Sequence, residues 1–191
     1  DCNTMYPGSR KNALEHLECA WENGFTPLTV GCPIIIGDGL KGTDDIAVPV
    51  AGGEYIKEAK IGRAVMDADV FISLTHFKGH EATGFGGTIK NIGMGCGSRA
   101  GKTEQHSNGI PTISSRKCVG CKRCQKECAN GGLVFNAETK KMTVDTEHCV
   151  GCSRCLGACN FDAITFRNSN ANAILNCKMA EYTKAVIDGR P

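Results

Sequence analysis

The chain has 191 residues, 41% of them hydrophobic, and a formal charge of +2. That is enough apolar material for one or two globular domains; the charge gives no reason to expect nucleic acid as a partner, and no basic run is interleaved with aromatics. No apolar run approaches the roughly 20 residues of a membrane-spanning helix, and the odd count of 13 cysteines, with no secretory signal ahead of them, fits a reducing cytoplasm.

The opening Asp1-Cys2-Asn3 carries no initiating Met, which reads as an internal portion of a longer protein or a processed product. After the turn Pro7-Gly8-Ser9, Leu14, Leu17 and Trp21 recur at helical spacing up to Gly24. They predict a helix over Arg10–Asn23 with those three side chains in a core and His16 and Glu18 in solvent. Pro33–Ile36, bounded by Gly37, reads as a buried strand. Ile46, Val48 and Val50 alternate as a half-exposed strand, and Gly52-Gly53 turns the chain into Tyr55–Ile61. A short helix follows at about Gly62–Asp67. Asp38, Asp44 and Asp45 are read as solvated loop residues, since no further ligand spacing makes them a metal site.

Val70–Leu74 is apolar on both faces and predicts a strand inside a covered sheet. Beyond it, His76, Lys78 and His80 alternate, so an extended chain points them one way, at the carboxyl end of a strand, where open α/β sheets bind ligands. Gly79 to Gly101 then holds a third of the 24 glycines. Gly86 and Gly87 let backbone N–H groups approach an anion, and Lys78, Lys90, Arg99 and Lys102 supply charge. The reading is a site for an anionic small molecule, with His76 and His80 as candidate proton carriers. It is preferred to a loop that merely packs on its neighbour. The Walker loop, the zinc-protease motif and G-x-G-x-x-G are all absent.

The strongest signal is Cys118-x2-Cys121-x2-Cys124-x3-Cys128, repeated at an offset of 31 residues as Cys149-x2-Cys152-x2-Cys155-x3-Cys159. This is the spacing with which bacterial two-cluster ferredoxins hold [4Fe–4S] cubanes, the fourth cysteine of each run serving the other cluster. It assigns Cys118, Cys121, Cys124 and Cys159 to one cluster and Cys149, Cys152, Cys155 and Cys128 to a second. Zinc needs only two C-x2-C pairs, and disulfides need an oxidising compartment. The proline that usually follows the fourth cysteine is replaced by Ala129 and Asn160. Cys2, Cys19, Cys32, Cys96 and Cys177 are read as small, mostly buried residues. Between the runs, Leu133–Phe135 and Met142–Val144 flank a polar turn and predict a hairpin. After Asn168-Ser169-Asn170, a linker and cap region, Leu175, Met179, Tyr182 and Val186 form one face of a helix that must bury against something.

Asn3-Thr4-Met5-Tyr6-Pro7-Gly8-Ser9-Arg10, Phe77-Lys78-Gly79-His80-Glu81, Gly84–Gly87, Ile89-Lys90-Asn91 and Gly93-Met94-Gly95-Cys96 together resemble the family called domain of unknown function 362, whose members carry a ferredoxin insert. The resemblance implies an α/β domain with an inserted α+β ferredoxin-like domain and two [4Fe–4S] clusters, and names no substrate. The expected division is 1–112 for the α/β domain, 113–168 for the cluster domain and 169–191 for a helix returning to the first. The expected function is electron transfer to a redox partner protein or domain, with no nucleic acid and no membrane. The alternatives are a redox enzyme feeding electrons to His76–Lys102, and clusters that only staple the fold.

Overall fold

The computed structural model describes residues 1–5, 8–80, 83–106, 110–149, 151, 154–166 and 171–190. In chain order its elements are α1 (Ala13–Glu22), α2 (Pro27–Val30), β1 (Asp45–Pro49), β2 (Glu58–Gly62), α3 (Arg63–Met66), β3 (Lys78–His80), β4 (Gly84–Gly86), α4 (Thr88–Gly95), α5 (Arg99–His106), β5 (Pro111–Ile113), α6 (Arg123–Lys126), β6 (Leu133–Asn136), β7 (Lys141–Val144), α7 (Arg154–Ala158), β8 (Ile164–Phe166) and α8 (Ala171–Ile187). Among the described residues the strands form two-stranded antiparallel pairs: β1–β2, β3–β4, β5–β8 and β6–β7. The chain divides into two compact units, Asp1–Gln105 with Asn172–Pro191, and His106–Ala171.

In the first unit, α8 organises the packing. Its 3.6-residue period brings Leu175, Met179, Tyr182 and Val186 to one face, and all four are buried. Tyr182 and Val186 share a core with Ile56, Ala59 and Ile61 of the β1–β2 hairpin and with Ile92 of α4. Polar groups from the same helix then satisfy backbone. The Glu181 carboxylate accepts the N–H groups of Glu54, Tyr55 and Ile56 at 2.7, 3.2 and 2.7 Å. Tyr182 donates to Glu104 Oε2 at 2.6 Å and accepts the Lys60 N–H at 3.3 Å; burial and the Glu104 contact push its phenol pKa up. Just past the helix, Arg190 donates to the Val65 and Met66 carbonyls, which end α3 with no partner inside it.

Several expectations are corrected here. α1 presents the opposite face: Leu14 and Trp21 are 69% and 50% exposed, while His16 is buried. The small side chains Ala13 and Ala20 share the packed face with His16 and Leu17, and the Ala13 N–H donates to Leu40 O at 2.9 Å, pinning the helix start to the 37–42 turns. The side chains that allow close approach, rather than the largest ones, choose the face. Pro33–Ile36 and Val70–Leu74 are not strands. Val70, Ile72 and Leu74 are 64, 79 and 95% exposed, because no described strand runs beside them to make a two-faced core position. Asp38 is fully buried rather than solvated. Its Oδ1 accepts the Asn3 N–H and side-chain amide at 2.8 and 2.9 Å, and its Oδ2 accepts the Arg99 N–H at 3.2 Å. Cys32 is exposed rather than buried, whereas Cys2 and Cys96 are buried as expected; Cys177, off the buried seam of α8, is exposed. The Pro7 turn and the Asn168–Asn170 linker lie on or across positions outside the described residues.

The second unit repeats itself. Shifted by 31 residues, α6 falls on α7, β6 on β8 and β5 on β7. The pairings interchange under this shift: Pro111↔Phe166, Thr112↔Thr165 and Ile113↔Ile164 correspond to Met142↔Phe135, Thr143↔Val134 and Val144↔Leu133. Backbone conformation repeats too. Gly120 and Gly151 have φ of 69° and 68°, and Gly131 and Asp162 have 70° and 48°, left-handed values that turn the chain at matching places. Each half therefore begins with a strand that pairs with the last strand of the other half, and neither half closes a sheet alone.

Candidate metal centre

A cavity in the second unit is lined by four thiols, Cys118, Cys121, Cys124 and Cys159, and by apolar side chains including Ile113, Met142, Phe161 and Ile164. The first three thiols sit on the turn that enters α6 and on its first residues. Cys159 arrives from the other half, at the exit of α7, where its N–H donates to Leu156 O at 3.2 Å. Cys118 and Cys124 are buried, Cys121 is exposed and Cys159 is half-buried. Burial pushes the Cys124 thiol pKa up; the Gln125 N–H opposes that, and negative charge on Cys159, Cys121 and Cys118 adds to it. Four sulfurs from two sequence runs thus share one apolar space.

The surrounding backbone reaches the sulfur as well. The Met142 N–H on β7 lies 3.4 Å from Cys118 Sγ, and the Lys141 ammonium donates to the Cys118 carbonyl. Lys122, in the left-handed conformation at φ 61°, places its ammonium 3.9 Å from the centre of the Phe135 ring, a cation–π contact. Sequence reading missed the Met142 donor because a backbone N–H leaves no residue signature. The 31-residue offset was the signal that β7 from one half would lie against the cysteines of the other.

Of the second set, Cys128, Cys149 and Cys155 are described, with Cys155 buried and the other two half-buried; Cys152 lies outside the described residues. Cys149 is held by the same turn as Cys118: Cys149 N to Asp145 O at 3.0 Å against Cys118 N to Ser114 O at 2.9 Å. Among the described residues, no three His, Cys, Asp or Glu side chains converge as a single-ion site.

The glycine-rich segment is not one open loop. It forms the β3–β4 hairpin, where Gly79 and Gly84 have open space beside them, and then α4 and α5, where Gly93 and Gly101 are spent on packing. A Cβ on Gly93 would overlap the Met179 carbonyl of α8, and one on Gly101 the Lys60 carbonyl of β2. The expected ligand group accordingly separates. Lys102 is buried and donates to the carbonyls of Cys2, Gly95 and Gly97 at 3.3, 3.2 and 2.7 Å; burial lowers its pKa, and the nearby Cys2, Asp38 and Cys96 oppose that. Burial also pushes the Cys2 thiol up to about 12. Arg99 is turned toward the Lys41 carbonyl, at 3.1 Å. Lys78 and Lys90 remain electrostatically coupled: Lys90's pKa is lowered by burial and then by the charge of Lys78. Gly86 packs against the Lys90 chain, and Gly87 precedes α4 as a cap with no side-chain partner. The aromatic rings of Phe77 and Phe85 stand 5.4 Å apart on the same hairpin. His76 is exposed and His80 half-buried, and no buried strand precedes them.

The family described as Domain of unknown function (DUF362) matches residues 1–191. The chain belongs to this family. No curated protein and no solved structure matches it. Among the described residues of this family member no helix is long and apolar enough to cross a membrane.

Proposed function

We propose that the His106–Ala171 unit is a ferredoxin-like electron-transfer module that binds two [4Fe–4S] clusters. One is held by Cys118, Cys121, Cys124 and Cys159, the other by Cys149, Cys152, Cys155 and Cys128. The observation that carries this reading is the cavity to which one half contributes three thiols and the other half the fourth. A zinc ion draws its four sulfurs around one point at about 2.3 Å. Thiols spread around an apolar cavity suit a body with several iron corners. When bound, such a cluster stores and releases one electron at a time. The chain's own part is to exclude water with Ile113, Met142, Phe161 and Ile164, to donate the Met142 N–H to a ligand sulfur, and to keep Lys122 close by against Phe135. The partner is a one-electron donor or acceptor protein or domain.

The test is a ligand deletion across the repeat. Cys159→Ala, purified and reconstituted anaerobically, is expected to lose about half of the roughly eight irons that two cubanes contain, although the change lies in the second run. The unaltered chain is expected to bleach reversibly with dithionite while remaining folded by circular dichroism. Full iron retention in the variant, or a chain that cannot be reduced, contradicts the proposal. If iron is bound but never reduced, a purely structural role stands instead.

A second reading concerns the first unit, where the Lys78–Lys90 pair beside the uncapped start of α4 supports an anionic ligand at Gly86 and Gly87. Titration with inorganic phosphate or a small dicarboxylate is expected to give saturable heat that Lys90→Ala abolishes. The redox-enzyme reading at His76–Lys102 is weakened, because Arg99 and Lys102 are committed to backbone carbonyls elsewhere in the unit.

A further inference from the structure

We infer that a single backbone position, Met142 in one half and Pro111 in the other, sets the two clusters at different potentials and so gives electron flow a direction. This rests on the two-cluster reading above. Three matched pairs of hydrogen bonds show that the backbone of the two halves corresponds around their cysteines. Cys118 N to Ser114 O at 2.9 Å matches Cys149 N to Asp145 O at 3.0 Å. Ser114 N to Ala163 O at 2.7 Å matches Asp145 N to Gly132 O at 3.1 Å. Cys128 N to Gln125 O matches Cys159 N to Leu156 O, both at 3.2 Å. The strand registers correspond pair by pair as well, Met142↔Phe135 with Pro111↔Phe166. The equivalent of Cys118 is therefore Cys149, and the equivalent of Met142 is Pro111.

The Met142 N–H reaches Cys118 Sγ at 3.4 Å. Proline has no N–H to give, so at the equivalent place Cys149 cannot receive that bond. The proline opens β5, where a strand tolerates it, and by the correspondence with Met142 its nitrogen takes the place of the one that faces Cys118 rather than the paired strand. A donor aimed at a ligand sulfur stabilises added negative charge, and hydrogen bonds to sulfur are among the determinants of cluster potential. The cluster that includes Cys118 is the easier of the two to reduce. Charge acts in the same direction. Arg116, Lys122 and Lys126 in the first half correspond to Glu147, Ser153 and Gly157 in the second. One electron from a low-potential donor passes to the cluster of Cys149 and moves on to that of Cys118. It resides on iron throughout, no iron–sulfur bond breaks, and no proton is required.

The experiment is a potentiometric titration of the full chain, reconstituted anaerobically, followed by EPR. Two reduction waves are expected in the unaltered protein. Pro111→Ala supplies the missing N–H and is expected to raise the lower wave toward the upper, which stays in place. Pro111→Val, a better strand residue, is titrated in its stead if the alanine variant holds less iron than the unaltered chain. A single wave in the unaltered protein, a lower wave that does not rise, or an equal movement of both waves overturns the inference while leaving the clusters intact. A chain that binds no iron overturns the two-cluster reading, and this inference with it.

Discussion

The two units are held together by different means. In the first, apolar side chains from the β1–β2 hairpin, α4 and α8 form a core of ordinary composition. Polar side chains of α8 then bind backbone groups of the hairpin, and glycines let helices approach at backbone distance. In the second, the buried core comprises Cys118, Cys124, Leu133, Met142, Cys155, Ala163 and Ile164. Three of those seven are cysteines, and two of them, Cys118 and Cys124, line the cavity. A unit spanning only 106–171 lies in the size range where a core is marginal without a metal or other staple. The contrast teaches that the first unit carries its stability within its own side chains, while on the proposed reading the second draws it from the clusters its thiols would bind.

The sharpest way to break that contrast is to remove the metal. Anaerobic chelation of the reconstituted chain is expected to abolish amide protection across 106–171, by orders of magnitude in exchange rate, while α8 and β2 keep theirs. Hydrogen exchange read by mass spectrometry checks this, and equal protection loss in both units would erase the distinction.

Next comes packing inside the first unit. Gly93→Val must displace the Met179 carbonyl of α8. It is expected to destabilise that unit by about 3 kcal/mol, seen as a lower urea midpoint by Trp21 fluorescence, with cluster absorbance unaffected. A pH effect follows. Burial lowers the His16 pKa to about 4, whereas an unfolded histidine takes its proton near 6.5. The stability carried by the neutral buried ring is complete above the unfolded value. It declines as pH falls and is fully lost below the folded value. Between pH 7 and 4.5 the unaltered chain should lose about 2 kcal/mol more than His16→Gln does; parallel pH profiles would show that the ring is not held neutral. The smallest effect is at Glu181, whose carboxylate collects three N–H groups on a half-exposed surface. Glu181→Ala should cost about 1 kcal/mol, measurable as faster exchange at Glu54–Ile56.

What the sequence disclosed and what it hid follow the same division. The hairpin at Leu133–Val144 and the buried face of α8 were legible because their periods are regular and nothing competes for those positions. The offset of 31 residues disclosed the internal repeat, whereas the reciprocal pairing of its outer strands came only with the structure. The α1 face was misread because Leu14 and Trp21 outweigh Ala13 and Ala20 in hydrophobicity but not in closeness of packing. Val70–Leu74 was misread as a covered strand because an apolar run reports a preference for burial, not the presence of a neighbour. Glycine density from Gly79 to Gly101 serves a ligand or a helix contact equally well, and sequence cannot separate the two. At the candidate metal site, the cysteines were legible by spacing. The Met142 donor was not, since it belongs to backbone that any residue but proline would supply.

The central claim is most directly tested by counting metal. Acid-labile sulfide, iron and zinc should be measured on chain purified anaerobically, together with its visible spectrum. The account predicts about eight irons and about eight sulfides per chain, with a broad absorbance that dithionite bleaches. Stoichiometric zinc without sulfide, in a chain whose second unit is fully folded, would contradict it.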